Sequence, residues 1–253
     1  MTPPKPRILL LGGTADALAM AAELVRAGLP AVYSVAGRTE APALPALPCR
    51  SGGFGGVPGL AAYLRAEKIT HVVDATHPFA AQMSRNAVAA CAAVGLPLIA
   101  LERAPWVPGP GDRWRSFPGL PEIATALPKA ATRIFLAIGR QNLDLFAAHP
   151  QHHYLLRLVD PPQGLPLARA EVVVSKGPFT AEGDLALMRA HRTELVIAKN
   201  AGGAAASAKL EAARTLGIPV WLAERPTIPD RPRAGRPQEV MDWLAAHGAR
   251  LGV

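Results

Sequence analysis

Residues 8–25, ILLLGGTADALAMAAELV, constrain this chain more than any other stretch. Four apolar residues run into Gly12-Gly13-Thr14, and apolar positions at helical spacing follow at once. A strand that breaks on two glycines into a helix is a βα unit, and βα units build parallel sheets. The turn leaves the first N–H groups of the helix pointing outward, where they suit an anion, usually a phosphate. Glycines let that anion approach the backbone, and Thr14 offers a hydroxyl. The pattern is shorter than the full GxGxxG fingerprint, so it defines the turn better than the ligand.

The same alternation continues along the chain. Short apolar runs at 31–36, 71–74, 97–101, 133–138, 154–158, 171–175, 195–199 and 219–223 read as strands. Amphipathic runs at 16–26, 59–67, 80–93, 181–191, 205–216 and 238–247 read as helices. Apolar strands between amphipathic helices imply a parallel sheet covered on both faces. The two halves also echo each other in register. ILLLGG (8–13) matches IFLAIG (134–139), and SGGF (51–54) matches SKGPF (175–179). THVVDATHPF (70–79) matches TELVIAKNAG (193–202), and GLPLIALERAP (95–105) matches GIPVWLAERPT (217–227). Four matches in one order mark two copies of one unit. The expected fold is α/β, with two Rossmann-like parallel-sheet halves and a ligand cleft between them. The Pro/Gly-rich stretch 103–121 interrupts regular structure. It sets the expected domains at 1–110, binding cofactor, and 111–253, binding substrate. Ligands of such sheets lie outside the carboxyl ends of the strands, where all the motif loops fall.

Charge narrows the partner. Lys and Arg number 27 against 19 Asp and Glu, a net charge of +8. The surplus favours an acidic partner. The basic residues form no run and aromatics are only 5%, which argues against a nucleic-acid surface and for an acidic small molecule. No segment has the ~20 apolar residues of a membrane span. The N-terminus shows no secretion signal. Cys49 and Cys91 fit no disulfide framework or CxxC site, so a cytoplasmic protein with reduced thiols is expected. His149, His152 and His153 lack partners at a metal-ligand spacing, and no metal is expected. Oligomeric state is not legible, and a monomer is compatible with the sequence.

The loops supply the site residues. The second strand ends in Gly37-Arg38. An acidic residue usually stands there to bond a ribose 2′-hydroxyl. Arg38 instead suits a 2′-phosphate, so the expected cofactor is NADPH. In GGFGG (52–56), Gly53 and Phe54 offer backbone and ring to a flat ligand. In DATHPFA (74–80), Thr76 and His77 stand where a nicotinamide would lie, and His77 is the candidate proton donor. The second half offers cations at the equivalent places. Arg140, Ser175, Lys176, Gly177, Phe179, Lys199, Asn200 and Arg225 are the expected substrate contacts, suited to a ligand with several carboxylates.

LLLGGTADA, AGRT, RSGGFGGVPGLAAYL, DATHPFAAQMSRNA, AIGRQNLDLF, SKGPF, AKNAGG and LAERP together resemble the precorrin-6A and cobalt-precorrin-6A reductase family of cobalamin biosynthesis. The resemblance spans about residues 7–226, and GGFGG followed by DATHPFA is its most specific part. It implies NADPH-dependent reduction of one double bond of precorrin-6A, a tetrapyrrole with many acetate and propionate side chains, to precorrin-6B. It does not separate the metal-free from the cobalt-containing substrate. A non-enzymatic NADPH sensor and a nucleotide-sugar transferase are the rival readings of the same loops.

Overall fold

The computed structural model describes residues 5–37, 44–175 and 177–249. The first unit begins with β1 (Ile8–Leu11), α1 (Ala15–Arg26), β2 (Ala31–Val35) and β3 (Cys49–Ser51). It continues with α2 (Gly56–Ala66), β4 (His71–Asp74), α3 (Ala81–Val94) and β5 (Leu98–Leu101). Residues of β1 alternate between two cores, as the two-residue period of a strand requires. Ile8 and Leu10 face one core with Met20 and Leu24 of α1. Leu9 and Leu11 face the other with Leu60 and Leu64 of α2 and Ala87 of α3. Helix α1 forms because Ala17, Met20, Ala21 and Leu24 recur on one face and Thr14 caps its start. Burying Met20 and Leu24 completely contributes roughly 1.5–3 kcal/mol each.

The second unit contains β6 (Trp114–Phe117), α4 (Leu120–Thr125), β7 (Arg133–Ala137) and a 3₁₀ segment, Arg140–Phe146. Then come β8 (His153–Leu158), β9 (Ala170–Val174) and α5 (Ala181–His191). β10 (Leu195–Lys199), α6 (Ala208–Leu216) and β11 (Val220–Ala223) complete it. Phe135, Leu155, Val196 and Leu222 pack one face of this sheet against Met188 of α5 and Leu210 of α6. The chain ends with β12 (Arg233–Ala234) and α7 (Pro237–Ala246).

Both sheets have six strands, in the orders β12-β5-β4-β1-β2-β3 and β6-β11-β10-β7-β8-β9. Every pairing is parallel. Each is the doubly wound order 3-2-1-4-5-6, whose reversal lies beside the first strand. The sequence echoes map onto equivalent strands: β1 on β7, β4 on β10, β5 on β11.

The sixth position of each sheet is filled out of turn. β6 follows the first five strands of the first unit in the chain, yet it pairs with β11. β12 follows the second unit and pairs with β5. The equivalence is close: Glu102 N–H donates to Ala234 O at 2.8 Å, and Glu224 N–H donates to Phe117 O at 2.8 Å. The expected domains 1–110 and 111–253 therefore need correction. One compact unit comprises residues up to Arg103 with those from Thr227 onward, and the other comprises Ala104–Pro226. The last segment returns because β12 extends the first sheet, and Val240 and Leu244 of α7 enter the core of α1. No helix among the described residues is long and apolar enough to cross a membrane.

Candidate functional site

In the first unit the reversal of strand order lies between β1 and β4. Gly12 N–H donates to Ser34 O at 2.8 Å. A side chain at Gly12 would meet the ring of Tyr33, since a Cβ there would lie 2.3 Å from its Cε2. Gly13 adopts φ +102°, with open space where its Cβ would be. Its N–H donates to the Tyr33 hydroxyl at 2.9 Å. Burial pushes the Tyr33 phenol up, against the pull of that bond, so a neutral hydroxyl braces the turn. The Thr14 hydroxyl accepts from Ala17 N–H at 3.0 Å and donates to Ala75 O at 2.8 Å. Its hydrogen is thus committed to the β4 loop, and the N–H groups of Ala15 and Asp16 are what the helix start offers an anion. Asp16 is paired with Arg103 at the end of β5, which offsets the acidic charge there.

The β2 and β3 ends hold a residue that sequence reasoning missed. Arg50 donates from Nη1 to Ser34 Oγ at 2.8 Å and Gly52 O at 3.0 Å, and from Nη2 to Gly53 O at 3.1 Å. Its guanidinium lies 3.8 Å from the Phe54 ring centroid, and Phe54 meets Tyr63 edge-on at 5.1 Å. Arg50 therefore shapes the glycine loop and covers one face of Phe54. The only sequence signal was an arginine two residues before GGF. Gly37 takes φ +69° and a Cβ would press on Ser51 Oγ at 2.6 Å. Arg38 lies outside the described residues.

The β4 end carries a connected set of hydrogen bonds. Asp74 is 3% exposed. Its Oδ1 accepts from Thr76 N–H at 3.2 Å and from Thr76 Oγ1 at 2.7 Å. Ser84 Oγ of α3 lies 3.3 Å from Thr76 Oγ1. His77 is half-buried, and its Nδ1 accepts from Phe79 N–H at 3.2 Å. In the neutral ring the proton then sits on Nε2, which is the nitrogen able to donate.

The carboxyl edge of the second unit carries the expected substrate residues. Arg140 is exposed at the start of the 3₁₀ segment, after Gly139 at φ +76°. Ser175 N–H donates to Leu158 O at 2.9 Å. Phe179 lies under the Arg157 guanidinium, 3.5 Å from its centroid. Arg157 forms an ion pair with Asp184, the two side chains being 10% and 3% exposed. Gly177 is exposed, Lys199 is half-buried at the end of β10, and Lys176 lies outside the described residues.

Asn200 and Arg225, also expected substrate contacts, hold backbone. Asn200 Oδ1 accepts from Trp106 N–H at 2.8 Å, and its Nδ2 donates to Trp106 O at 3.1 Å. Arg225 donates to Asn200 O and Ala201 O, each at 3.0 Å. Both side chains satisfy irregular backbone that would otherwise be left unpaired. His152 is buried, and its Nδ1 accepts from Thr132 N–H at 3.2 Å. Among the described residues no three His, Cys, Asp or Glu side chains converge as a metal site would require. Cys49 and Cys91 form no disulfide, and burial pushes the Cys91 thiol up to about 12.

Two doubly wound sheets, each with glycine-bearing turns at its carboxyl edge, define a two-unit Rossmann-like α/β protein. Residues 7–245 match the family model described as Precorrin-6x reductase CbiJ/CobK, and the chain belongs to that family. It is 57% identical to the precorrin-6A reductase of Rhodobacter capsulatus over 244 residues, 96% of this chain and 97% of that one. It is 47% identical to the precorrin-6A reductase of Rhodococcus erythropolis over 224 residues, 88% and 90% of the two chains. A solved structure titled CobK precorrin-6A reductase superposes with a TM-score of 0.93 at 57% identity, over 97% of this chain and 98% of that chain.

Proposed function

We propose that this chain is an NADPH-dependent reductase of precorrin-6A, giving precorrin-6B in corrin ring synthesis. The observation that carries this reading is the β1–β4 crevice of the first unit, in a chain whose near-full-length relatives are named precorrin-6A reductase. The residues there fit a dinucleotide. The Gly12-Gly13 turn and the first N–H groups of α1 suit a pyrophosphate. Open space over Gly13, Gly52 and Gly53 leaves room for a flat ligand against the backbone. Arg50 adds positive charge beside the β2 end, where Arg38 in the sequence suits a 2′-phosphate.

Bound NADPH supplies the hydride. The chain has to orient the two ring systems and deliver a proton. The His77 Nε2–H is the proposed donor. At the second unit, Arg140, Lys176 and Lys199 are the proposed contacts for the substrate's carboxylates, beside Ser175, Gly177 and Phe179. Asn200 and Arg225 support that edge through the backbone bonds described above. The metal-free substrate is favoured over its cobalt analogue. Relatives named for the former are 42–57% identical, and those named for the latter 28–33%.

The test of the cofactor assignment is Arg38→Ala, with NADPH and NADH affinities measured by titration calorimetry. The reading expects NADPH to weaken far more than NADH. Equal loss for both sinks the 2′-phosphate assignment.

A further inference from the structure

Hydrogen-bond polarity at the β4 end restricts what Thr76 can bind. A threonine hydroxyl has one hydrogen and two lone pairs. The hydrogen of Thr76 Oγ1 goes to Asp74 Oδ1 at 2.7 Å. The same Asp74 oxygen also accepts from the Thr76 N–H at 3.2 Å. The other carboxylate oxygen, Oδ2, is buried and finds no partner among the described residues. With its hydrogen spent, Thr76 Oγ1 can only accept from Ser84 Oγ at 3.3 Å. The chain of donors runs Ser84 to Thr76 to Asp74, and it leaves Thr76 one lone pair.

The position of Thr76 in the fold is also fixed. Asp74 ends β4, directly beside β1 at the reversal of strand order. The Thr14 hydroxyl ties Ala75 O to the glycine turn. Thr76 is half-buried, two residues beyond the end of β4.

We propose that Asp74 is a specificity-setting residue: it locks the Thr76 hydroxyl as an acceptor, which selects a ligand N–H donor there, the primary carboxamide of a nicotinamide ring. This rests on reading the first unit as the NADPH site. A carbonyl or phosphate oxygen presented at the same point meets only lone pairs and is rejected. Thr76 is thus a recognition residue for the amide hydrogen, and Asp74 acts through it.

The test compares binding of NADP⁺ with binding of its 3-acetylpyridine analogue, in which a methyl group replaces the amide NH₂. Titration calorimetry on the full chain gives both affinities without turnover. The wild type should bind the analogue about three- to tenfold more weakly, the range of one neutral hydrogen bond. Thr76→Val should abolish that preference, and Thr76→Ser should keep it. Asp74→Ala frees the Thr76 hydrogen, so the hydroxyl can donate as well as accept, and the preference should shrink; Asp74→Asn, whose Oδ1 still accepts from Thr76, should keep it. Circular dichroism checks the fold of each variant. Should Asp74→Ala fail to fold, the near-isosteric Asp74→Leu takes its place. Equal wild-type affinities, a preference kept in Thr76→Val, or a preference undiminished without the Asp74 carboxylate overturn the inference and leave the cofactor reading standing. Absence of any NADP⁺ binding to the wild type overturns both.

Discussion

Replacing Gly12 by alanine drives a methyl group into the ring of Tyr33. The new Cβ would lie 2.3 Å from Cε2, 2.4 Å from Cζ and 2.6 Å from the hydroxyl oxygen. Ordinary carbon contacts are ~3.5–4.0 Å, so ring or loop must yield by about 1 Å. The ring has little freedom, because Tyr33 is 1% exposed and its hydroxyl holds Gly13 N–H. Overpacking of this kind costs ~1–3 kcal/mol, and losing the Gly13 bond costs ~1 kcal/mol more. The stiffer unfolded chain offsets ~0.4–1 kcal/mol. The net expectation is a loss of ~1–3.6 kcal/mol, or a Tm lowered by about 2–14 °C at the usual sensitivity for chains of this size. Tyr33→Leu removes the offending ring atoms, so a double-mutant cycle isolates the clash. The four proteins are compared by urea and thermal unfolding. The Gly12→Ala/Tyr33→Leu variant should be more stable than the sum of the single losses by ~1–2 kcal/mol. Additivity within ~0.5 kcal/mol would refute the claim that Tyr33 is what demands glycine at position 12.

Three further outcomes are expected. Arg157→Ala leaves the Asp184 carboxylate buried without its cation and should cost ~3–5 kcal/mol in unfolding free energy; replacing both residues by leucine and methionine should cost clearly less. Burial, followed by the charge of His149, lowers the pKa of His152 from 6.5, and burial lowers that of His71. The unfolded histidines bind protons at about 6.5 while the folded ones resist. Their contribution is therefore intact above pH ~6.5 and is lost as pH falls through the depressed folded values, so a His71→Gln/His152→Gln variant should show a flatter fall in stability on acidification. His77→Ala should reduce turnover by at least ~10²-fold if Nε2 delivers the proton; a loss under about tenfold removes it from that role.

What was legible in the sequence follows from burial. β1 reads plainly because Ile8 to Leu11 are all buried, alternating between two cores. The repeat was legible because equivalent strands need the same apolar runs and the same turns. β3 was missed because Cys49–Ser51 is a three-residue edge strand with little burial. β6 hides in the Pro/Gly-rich stretch, where four residues carry no period. β12 has only two residues, and its pairing depends on tertiary context alone, so the domain boundary was misplaced with it. The candidate site residues were read from strand ends, but their hydrogen-bond partners were not legible. Thr14, Asn200 and Arg225 stand at those ends, and part of their hydrogen-bonding capacity is spent on backbone. Asp74 looked like an ordinary strand residue until its bond to Thr76 was seen.

Deuterium transfer tests the central claim most directly. Precorrin-6A is incubated with the protein and NADPH deuterated at the transferable position, and the product is analysed by mass spectrometry. The account predicts a product heavier by two hydrogens, one of them deuterium. Unchanged precorrin-6A with NADPH nevertheless bound would contradict it, and would shift the assignment to the cobalt-containing substrate or to a sensor of NADPH.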